Sequence, residues 1–151
     1  MVLTLVLKKI ENELMSKRIN QVEPVIDAKD KKSINRYLDS KGWLTEHTET
    51  KKFEDNIKNY VNRKYAVAVP NGTIALYLSL LSLGIGKGKK VAIPNLTMIA
   101  SINSILWAGA EPVLIDVDNN FSMDFDELIK HEDIDAVIYV PLNGRVGEGL
   151  K

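Results

Sequence analysis

The stretch YAVAVPNGTIALYLSLLSLG, residues 65–84, decides the fold. Its first five residues, Tyr65–Val69, form a short apolar run that predicts a buried strand. Residues 70–72, Pro-Asn-Gly, are a turn sequence. The segment from Thr73 to Leu83 is apolar almost all round, which predicts a buried helix. A strand that leads through a tight turn into a buried helix is typical of the opening of a strand–helix–strand unit.

The same alternation continues downstream. Apolar runs predict strands at Val91–Ile93, Pro112–Asp116 and Ala136–Val140, and helices at Leu96–Ala108 and from Asp124 to Lys130. Because the strands are apolar throughout, we expect a parallel sheet that is covered on both faces, an α/β fold. Right-handed crossovers bring the strand ends to one edge of such a sheet, and ligands bind beyond the carboxyl ends.

Two amphipathic helices are predicted upstream of the sheet. The first carries Ile34, Tyr37 and Leu38 at helical spacing and is expected to stop at Gly42, and the second spans 53–61. Trp43 lies in the loop between them, either as a ligand contact or as an anchor of the loop. Residues 1–18 are expected to be an N-terminal extension or leading helix, with Met15 as a second credible start, and residues 19–151 are expected to form one domain.

Composition excludes several classes of protein. Lysine plus arginine equals aspartate plus glutamate, 20 each, so no net field favours nucleic acid or an anionic membrane. There is no cysteine, which excludes a disulfide framework, a thiolate metal site and a cysteine nucleophile, and which suits a cytoplasmic protein. No apolar run approaches the roughly 20 residues of a membrane span. His47 and His131 lack a second histidine at metal-ligand spacing, so no metal is predicted.

Asn71–Gly72–Thr73 is the sharpest candidate for a ligand site. The first turn of a helix leaves backbone amides without partners, and the helix dipole favours an anion there. One interpretation is a phosphate cup formed by the amides of Gly72, Thr73 and Ile74. The other is a turn followed by an N-cap threonine.

Three further motifs also carry residues that could contact a ligand. Met98 follows a predicted strand and either lies against a flat ligand ring or belongs to the core. The glycine-rich run 84–89 follows a helix, whereas a nucleotide-binding loop follows a strand, so it predicts a helix stop and a turn. Asp116 and Asp118 end a strand and are expected to serve turn chemistry.

Together these segments resemble the DegT/DnrJ/StrS family of aminotransferases, which includes perosamine synthases and other nucleotide-sugar aminotransferases. The matching stretches, in order, are Gly42–Thr45, Phe53–Glu54 with Tyr60, Tyr65–Leu76, Leu83–Gly88, Val91–Ser101 and Gly109–Asp118. The resemblance implies the large domain of an aspartate-aminotransferase-like fold, here incomplete, and the cofactor pyridoxal 5′-phosphate. It implies that Gly72, Thr73 and Ile74 bind the cofactor. Met98 stands where similar proteins often stack an aromatic ring on the pyridine.

The resemblance also implies residues that this sequence does not supply. Similar proteins carry, further downstream, an acidic partner of the pyridine nitrogen and a Schiff-base lysine, and both are expected beyond Lys151. We therefore assign no catalytic residue and expect residues 1–151 alone to lack efficient transamination.

For the complete enzyme, the resemblance implies a nucleotide-sugar substrate, an amino-acid donor and a homodimer, or association with a complementary fragment. The sequence leaves two alternatives. One is a non-catalytic module that binds a phosphorylated ligand or a partner subunit. The other is an unrelated nucleotide-binding domain, for which the turn 70–73 is too short.

Overall fold

A computed structural model describes residues 8, 22–44 and 48–147. The chain divides into two compact units, residues 1–51 and 52–151. The expectation for residues 1–18 lies, apart from Lys8, outside the described residues. The domain boundary at residue 19 stays a prediction.

Helix α1 spans Ala28–Asp39, and helix α2 spans Thr48–Tyr60. A capping box starts α1, since the Asp27 side chain accepts from the Lys29 and Asp30 amides while Asp30 accepts from the Asp27 amide.

The predicted stop of α1 at Gly42 is wrong. The helix ends at Asp39, and Lys41 takes the left-handed conformation with φ 53°. Gly42 is needed for close packing instead, because an added Cβ would lie 3.1 Å from the Tyr37 hydroxyl oxygen. That hydroxyl donates to the Trp43 carbonyl, so the loop is anchored through backbone while the Trp43 residue stays 76% exposed.

The second unit alternates helices and strands. Its elements are helix α3 at Gly72–Ser82, strand β1 at Lys90–Pro94, helix α4 at Ile99–Trp107, strand β2 at Glu111–Ile115, helix α5 at Phe125–Leu128, strand β3 at Ala136–Val137 and a 3₁₀ turn at Leu142–Gly144. The strands form a parallel sheet in the order β2-β1-β3. Pro94 at the end of β1 pairs with Ile115 at the end of β2, so their carboxyl ends share one edge.

Both faces of the sheet are covered, which confirms the predicted α/β class. On one face, Leu80 of α3 and Ile105 of α4 pack with Val91 and Ile93 of β1. On the other face, a second cluster consists of Ala92, Ile115 and Met123, with Leu128 and Tyr139 packed against it. Ile93 and Ile105 have no exposed surface, and each such side chain contributes roughly 1.5–3 kcal/mol to folding by its transfer out of water.

The apolar run Tyr65–Val69 forms no strand among the described residues. A strand needs a neighbouring backbone for its ladder, and apolar composition does not supply one. The Ala68 amide instead donates to the Glu54 carboxylate on α2, at 2.9 Å. The run Ala136–Val140 forms a strand only over its first two residues. The Ile138 amide still donates to the Ala92 carbonyl at 2.9 Å.

Charged pairs join β1 to β3 at the amino edge of the sheet. The Lys89 ammonium contacts Asp135 at 2.6 Å, and the Lys90 amide donates to the other Asp135 oxygen at 2.8 Å. Lys90 pairs with Asp133. The Lys89 hydrogen bond, followed by the Lys90 amide, lowers the pKa of Asp135 below its ordinary value. These contacts align the two strand starts, because they cross between chain segments more than 40 residues apart.

Candidate functional site

Helix α3 opens on a neutral side-chain cap. Asn71 is the N-cap residue, and its Oδ1 accepts from the Ile74 amide at 3.0 Å. Its carbonyl accepts from the Ala75 amide at 3.1 Å. The alternative expectation of a threonine cap is therefore wrong. Asn71, not Thr73, occupies the N-cap position, from which the side chain accepts from the third helical amide.

The amides of Gly72 and Thr73 donate to no acceptor in the described part of the chain. Gly72 is exposed, Thr73 is half-buried, and a Cβ built on Gly72 would meet no atom within 4 Å. Two free N–H groups beside open space at a helix start are what an anion requires. The Ile74 amide, by contrast, is already engaged by Asn71, so an anion that used it would compete with the cap.

The connection from α3 to β1 orients the helix. Gly84 and Gly88 adopt positive φ of 73° and 80°, and the Ile85 amide closes the helix end on the Leu80 carbonyl at 3.0 Å. The run 84–89 is thus a helix stop and a turn, as the sequence predicts. Ile85 is buried in the cluster that contains Val91, next to the start of β1. Because α3 ends beside the amino edge of the sheet, its start points toward the carboxyl side.

The loop between β1 and α4 is fastened at the carboxyl edge. The Asn95 amide donates to the Ile115 carbonyl at 2.8 Å, and the Asn95 side chain donates to the Asp116 carboxylate. The Asp116 carbonyl in turn accepts from the Asp124 amide at 2.9 Å. Asp116 therefore bridges two strand ends. Turn chemistry is confirmed for Asp118, which accepts from the Asn120 and Ser122 amides at 2.8 and 3.0 Å.

Met98 is 73% exposed and directly precedes α4, so it lies outside the core. Hydroxyl groups hold the first turn of that helix. Thr97 Oγ1 donates to Ser101 Oγ at 3.1 Å, and the Ser104 hydroxyl donates to the Ser101 carbonyl at 2.7 Å. The sequence analysis missed these serines, although their spacing of three and four residues along a helix is the signal that reveals such contacts. The Met98 side chain is thus exposed beside the start of α4.

No metal centre emerges from the described residues, in which no cluster of three or more histidine, cysteine or acidic side chains could hold an ion. His131 is half-buried, and His47 lies outside the described residues. None of the helices within the described ranges is long and apolar enough to cross a membrane.

The fold and the helix start define an α/β protein with a candidate anion site at the carboxyl side of a parallel sheet. Comparison with known proteins gives its family. Residues 24–148 match the DegT/DnrJ/EryC1/StrS aminotransferase family, and the chain belongs to that family. This confirms the resemblance that the sequence motifs indicate.

Among curated relatives, the chain is similar to GDP-perosamine synthase of Escherichia coli O157:H7, with 41% identity over 103 residues, or 68% of this chain and 28% of that protein. It is 37% identical over 112 residues to GDP-perosamine synthase of Caulobacter vibrioides, covering 74% of this chain and 30% of that protein. The chain thus spans less than a third of the length of these relatives.

Solved structures agree with this placement. The fold is similar to the sugar aminotransferase Spr1654 of Streptococcus pneumoniae in its PMP form, with a TM-score of 0.79, 32% identity, and coverage of 86% of this chain and 33% of that chain. The PLP form of the same protein gives a TM-score of 0.76. PseC of Helicobacter pylori, an aminotransferase involved in the biosynthesis of pseudoaminic acid, gives a TM-score of 0.79 at 25% identity over 87% of this chain and 36% of that chain.

Proposed function

We propose that this chain forms the N-terminal part of a pyridoxal-phosphate-dependent aminotransferase that transfers an amino group from an amino acid to a keto-sugar nucleotide. The observation that carries the proposal is the pair of free amides at Gly72 and Thr73, on a helix start of a chain in this family. The names of the perosamine synthase relatives support a nucleotide-sugar substrate.

In this proposal, Gly72, Thr73 and Ile74 bind the phosphate of the cofactor, and the Ile74 amide joins only where the phosphate replaces its bond to Asn71. The Gly72 and Thr73 amides donate to its oxygens, the Thr73 hydroxyl adds a further donor, and the α3 dipole favours the negative charge. The open space over Gly72 fits the close approach of a phosphate to backbone. When bound, pyridoxal phosphate supplies the electron sink on which amino transfer depends.

Met98 is proposed to lie against the cofactor ring. Its exposure and its place at the start of α4, next to the fastened Asn95 loop, support this role. A thioether packs on an aromatic ring with less directional preference than a second ring would have. The ring is therefore expected to be held mainly by its phosphate.

Residues 1–151 by themselves are proposed to bind the cofactor without completing transamination. The proposal takes the Schiff-base lysine and the acidic partner of the pyridine nitrogen to lie outside residues 1–151, as the resemblance implies. Covalent attachment and proton transfer depend on that lysine. A homodimer is the proposed assembly of the complete enzyme, in the cytoplasm.

Pyridoxamine 5′-phosphate tests the binding site directly, because it carries the phosphate but has no aldehyde to react with a lysine. We expect the chain to bind it, as measured by calorimetry, and to bind pyridoxamine at least about tenfold more weakly. Inorganic phosphate should compete. Equal affinity for pyridoxamine 5′-phosphate and for pyridoxamine would contradict the phosphate site.

Borohydride tests the catalytic part of the proposal. We expect the chain mixed with pyridoxal phosphate to show no specific lysine adduct after reduction, as read by peptide mass spectrometry. A reduced adduct concentrated on one lysine would overturn the statement that this portion lacks the covalent attachment residue.

A further inference from the structure

Two asparagine–glycine steps occur in the sequence, Asn71–Gly72 and Asn143–Gly144. Such steps are chemically labile. The backbone nitrogen after an asparagine can attack the side-chain carbonyl carbon, and a following glycine places no Cβ in the way. Whether the folded chain permits the attack depends on the contacts of the attacking nitrogen at each asparagine–glycine step.

The fold leaves the attacking nitrogen of the first step unengaged. The Gly72 amide donates to no acceptor among the described residues, both Asn71 and Gly72 are exposed, and the space over Gly72 is open. The Ile74 amide donates to Asn71 Oδ1 at 3.0 Å. This hydrogen bond polarises the side-chain carbonyl, but it also holds the side chain at the helix start, so closure of the ring must give up the cap.

The second asparagine–glycine step, Asn143–Gly144, differs in the contacts of its attacking backbone nitrogen. Asn143 and Gly144 both adopt left-handed backbone conformations, with φ of 54° and 76°. The Gly144 amide donates to the Pro141 carbonyl at 3.0 Å. Attack there must first break a backbone hydrogen bond, so Asn143 serves as an internal reference on the same chain.

We propose that Asn71 is a deamidation site and that its conversion closes the candidate anion site. The Gly72 nitrogen bonds to the side-chain carbon of Asn71, the bond from that carbon to the side-chain nitrogen breaks, and ammonia leaves with the proton from the Gly72 amide. Water then opens the resulting five-membered imide at either carbonyl. The products are aspartate or isoaspartate at position 71, and the net reaction is amide plus water to carboxylic acid plus ammonia.

The new carboxylate would stand beside the amides of Gly72 and Thr73. An aspartate caps a helix as well as an asparagine does, so α3 is expected to persist. Its negative charge would repel a phosphate at the same helix start. An isoaspartate would in addition lengthen the backbone by one carbon and displace the two amides. The modification therefore removes anion binding while leaving the fold in place.

A bound phosphate should protect Asn71 from deamidation, and this expectation rests on the proposed function. A phosphate that holds the Gly72 amide also withholds the attacking nitrogen. Because only the free chain reacts, pyridoxamine 5′-phosphate at about ten times its dissociation constant should slow conversion of Asn71 about tenfold. Conversion of Asn143 should stay unchanged.

The experiment incubates the full chain with and without pyridoxamine 5′-phosphate and follows peptides containing positions 71 and 143 by mass spectrometry. A sample unfolded in urea reports the intrinsic rates. We expect Asn71 to convert in the folded, ligand-free chain. If it stays intact over a period in which the unfolded chain converts, the deamidation site is refuted. If it converts at one rate with and without ligand, the site stands, while the protection and the proposed phosphate site are both overturned.

The variant Asn71→Asp reproduces the main product without waiting for the reaction. We expect circular dichroism like that of the parent chain and at least about tenfold weaker binding of pyridoxamine 5′-phosphate. Asn71→Ser, a neutral capping residue, should retain binding. Undiminished binding by the aspartate variant would show that deamidation leaves the anion site open, contrary to the proposal.

Discussion

The side chain of Asn95, which follows β1, donates a hydrogen bond to the carboxylate of Asp116, which follows β2. The two residues are 21 positions apart in sequence and meet because the strands are parallel and paired in register. With the Asn95 amide bonded to the Ile115 carbonyl, this contact fastens the loop that leads to Met98. The loop is thereby tied to the sheet at the edge where ligands of this fold class bind.

Removal of this contact should loosen the loop. For Asn95→Ala we expect faster amide hydrogen exchange at Leu96–Met98 and a loss of at most about 1 kcal/mol in the free energy of unfolding, since both side chains are exposed. Asn119→Ala, an exposed asparagine of the neighbouring turn, is the matched control and should change neither quantity. Unchanged exchange in the first variant would show that backbone contacts alone hold the loop.

The role of the Gly72 amide can be tested by its deletion. Gly72→Pro removes the free N–H at the first helical position, where proline is tolerated. The preceding Asn71 has extended backbone, which proline also accepts. We expect calorimetry to show at least about tenfold weaker binding of pyridoxamine 5′-phosphate, with the helix retained.

Gly72→Ala is the control for that deletion. It keeps the N–H, and its added Cβ meets no protein atom within 4 Å. It should therefore bind more tightly than the proline variant. Equal loss in both variants would mean that the crowding of the phosphate, rather than the missing donor, is responsible.

The α3–α4 layer should depend on Ile105, which has no exposed surface between β1 and α3. For Ile105→Ala we expect the free energy of unfolding, measured by urea titration, to fall by about 2–5 kcal/mol through lost burial and the cavity left behind. Ile99→Ala changes the same residue type on the same helix at a position that is 68% exposed, and should cost within about 0.5 kcal/mol. Similar losses at both positions would contradict the described core.

The amino-edge ion pairs predict a pH dependence with a definite sign. The hydrogen bond from Lys89 lowers the pKa of Asp135 in the folded chain. The stabilisation is therefore fully present above the unfolded pKa, about 3.9, and is lost as pH falls through the lower folded value. Lys89→Met should raise the pKa of Asp135 toward its ordinary value, as measured by NMR titration of the carboxyl carbon.

Lys87→Met supplies the comparison for that titration. Lys87 is exposed and makes no ion pair with any described residue. The pKa of Asp135 should be the same in this variant as in the parent chain. A pKa that responds equally to both substitutions would assign the effect to overall charge rather than to the Lys89 contact.

Several features were predictable because they depend on neighbours along the chain. The all-round apolar pattern of α3 and its glycine stop are local, and so is the Asp124 cap of α5, which accepts from the Asp126 and Glu127 amides. The candidate amides at Gly72 and Thr73 also follow from a local turn before a helix. Recognition of the family depended on the order of such local motifs.

Other features required partners that are distant in sequence. The run Tyr65–Val69 has strand composition but no ladder partner among the described residues, and the Ala68 amide bonds to Glu54 instead. The bridge between Asn95 and Asp116 and the Lys89–Asp135 pair join segments that no periodicity relates.

The amino-acid sequence by itself determined most of the element types, the parallel α/β class and the helix start at residues 72–74, because hydrophobic period and turn residues act over a few positions. Only the tertiary structure decided the strand order β2-β1-β3, the Asn95–Asp116 bridge at the carboxyl edge and the Lys89–Asp135 pair at the amino edge. The physical reason is that a hydrogen bond depends on where both of its groups lie in space, and that is set by the packing of the whole sheet.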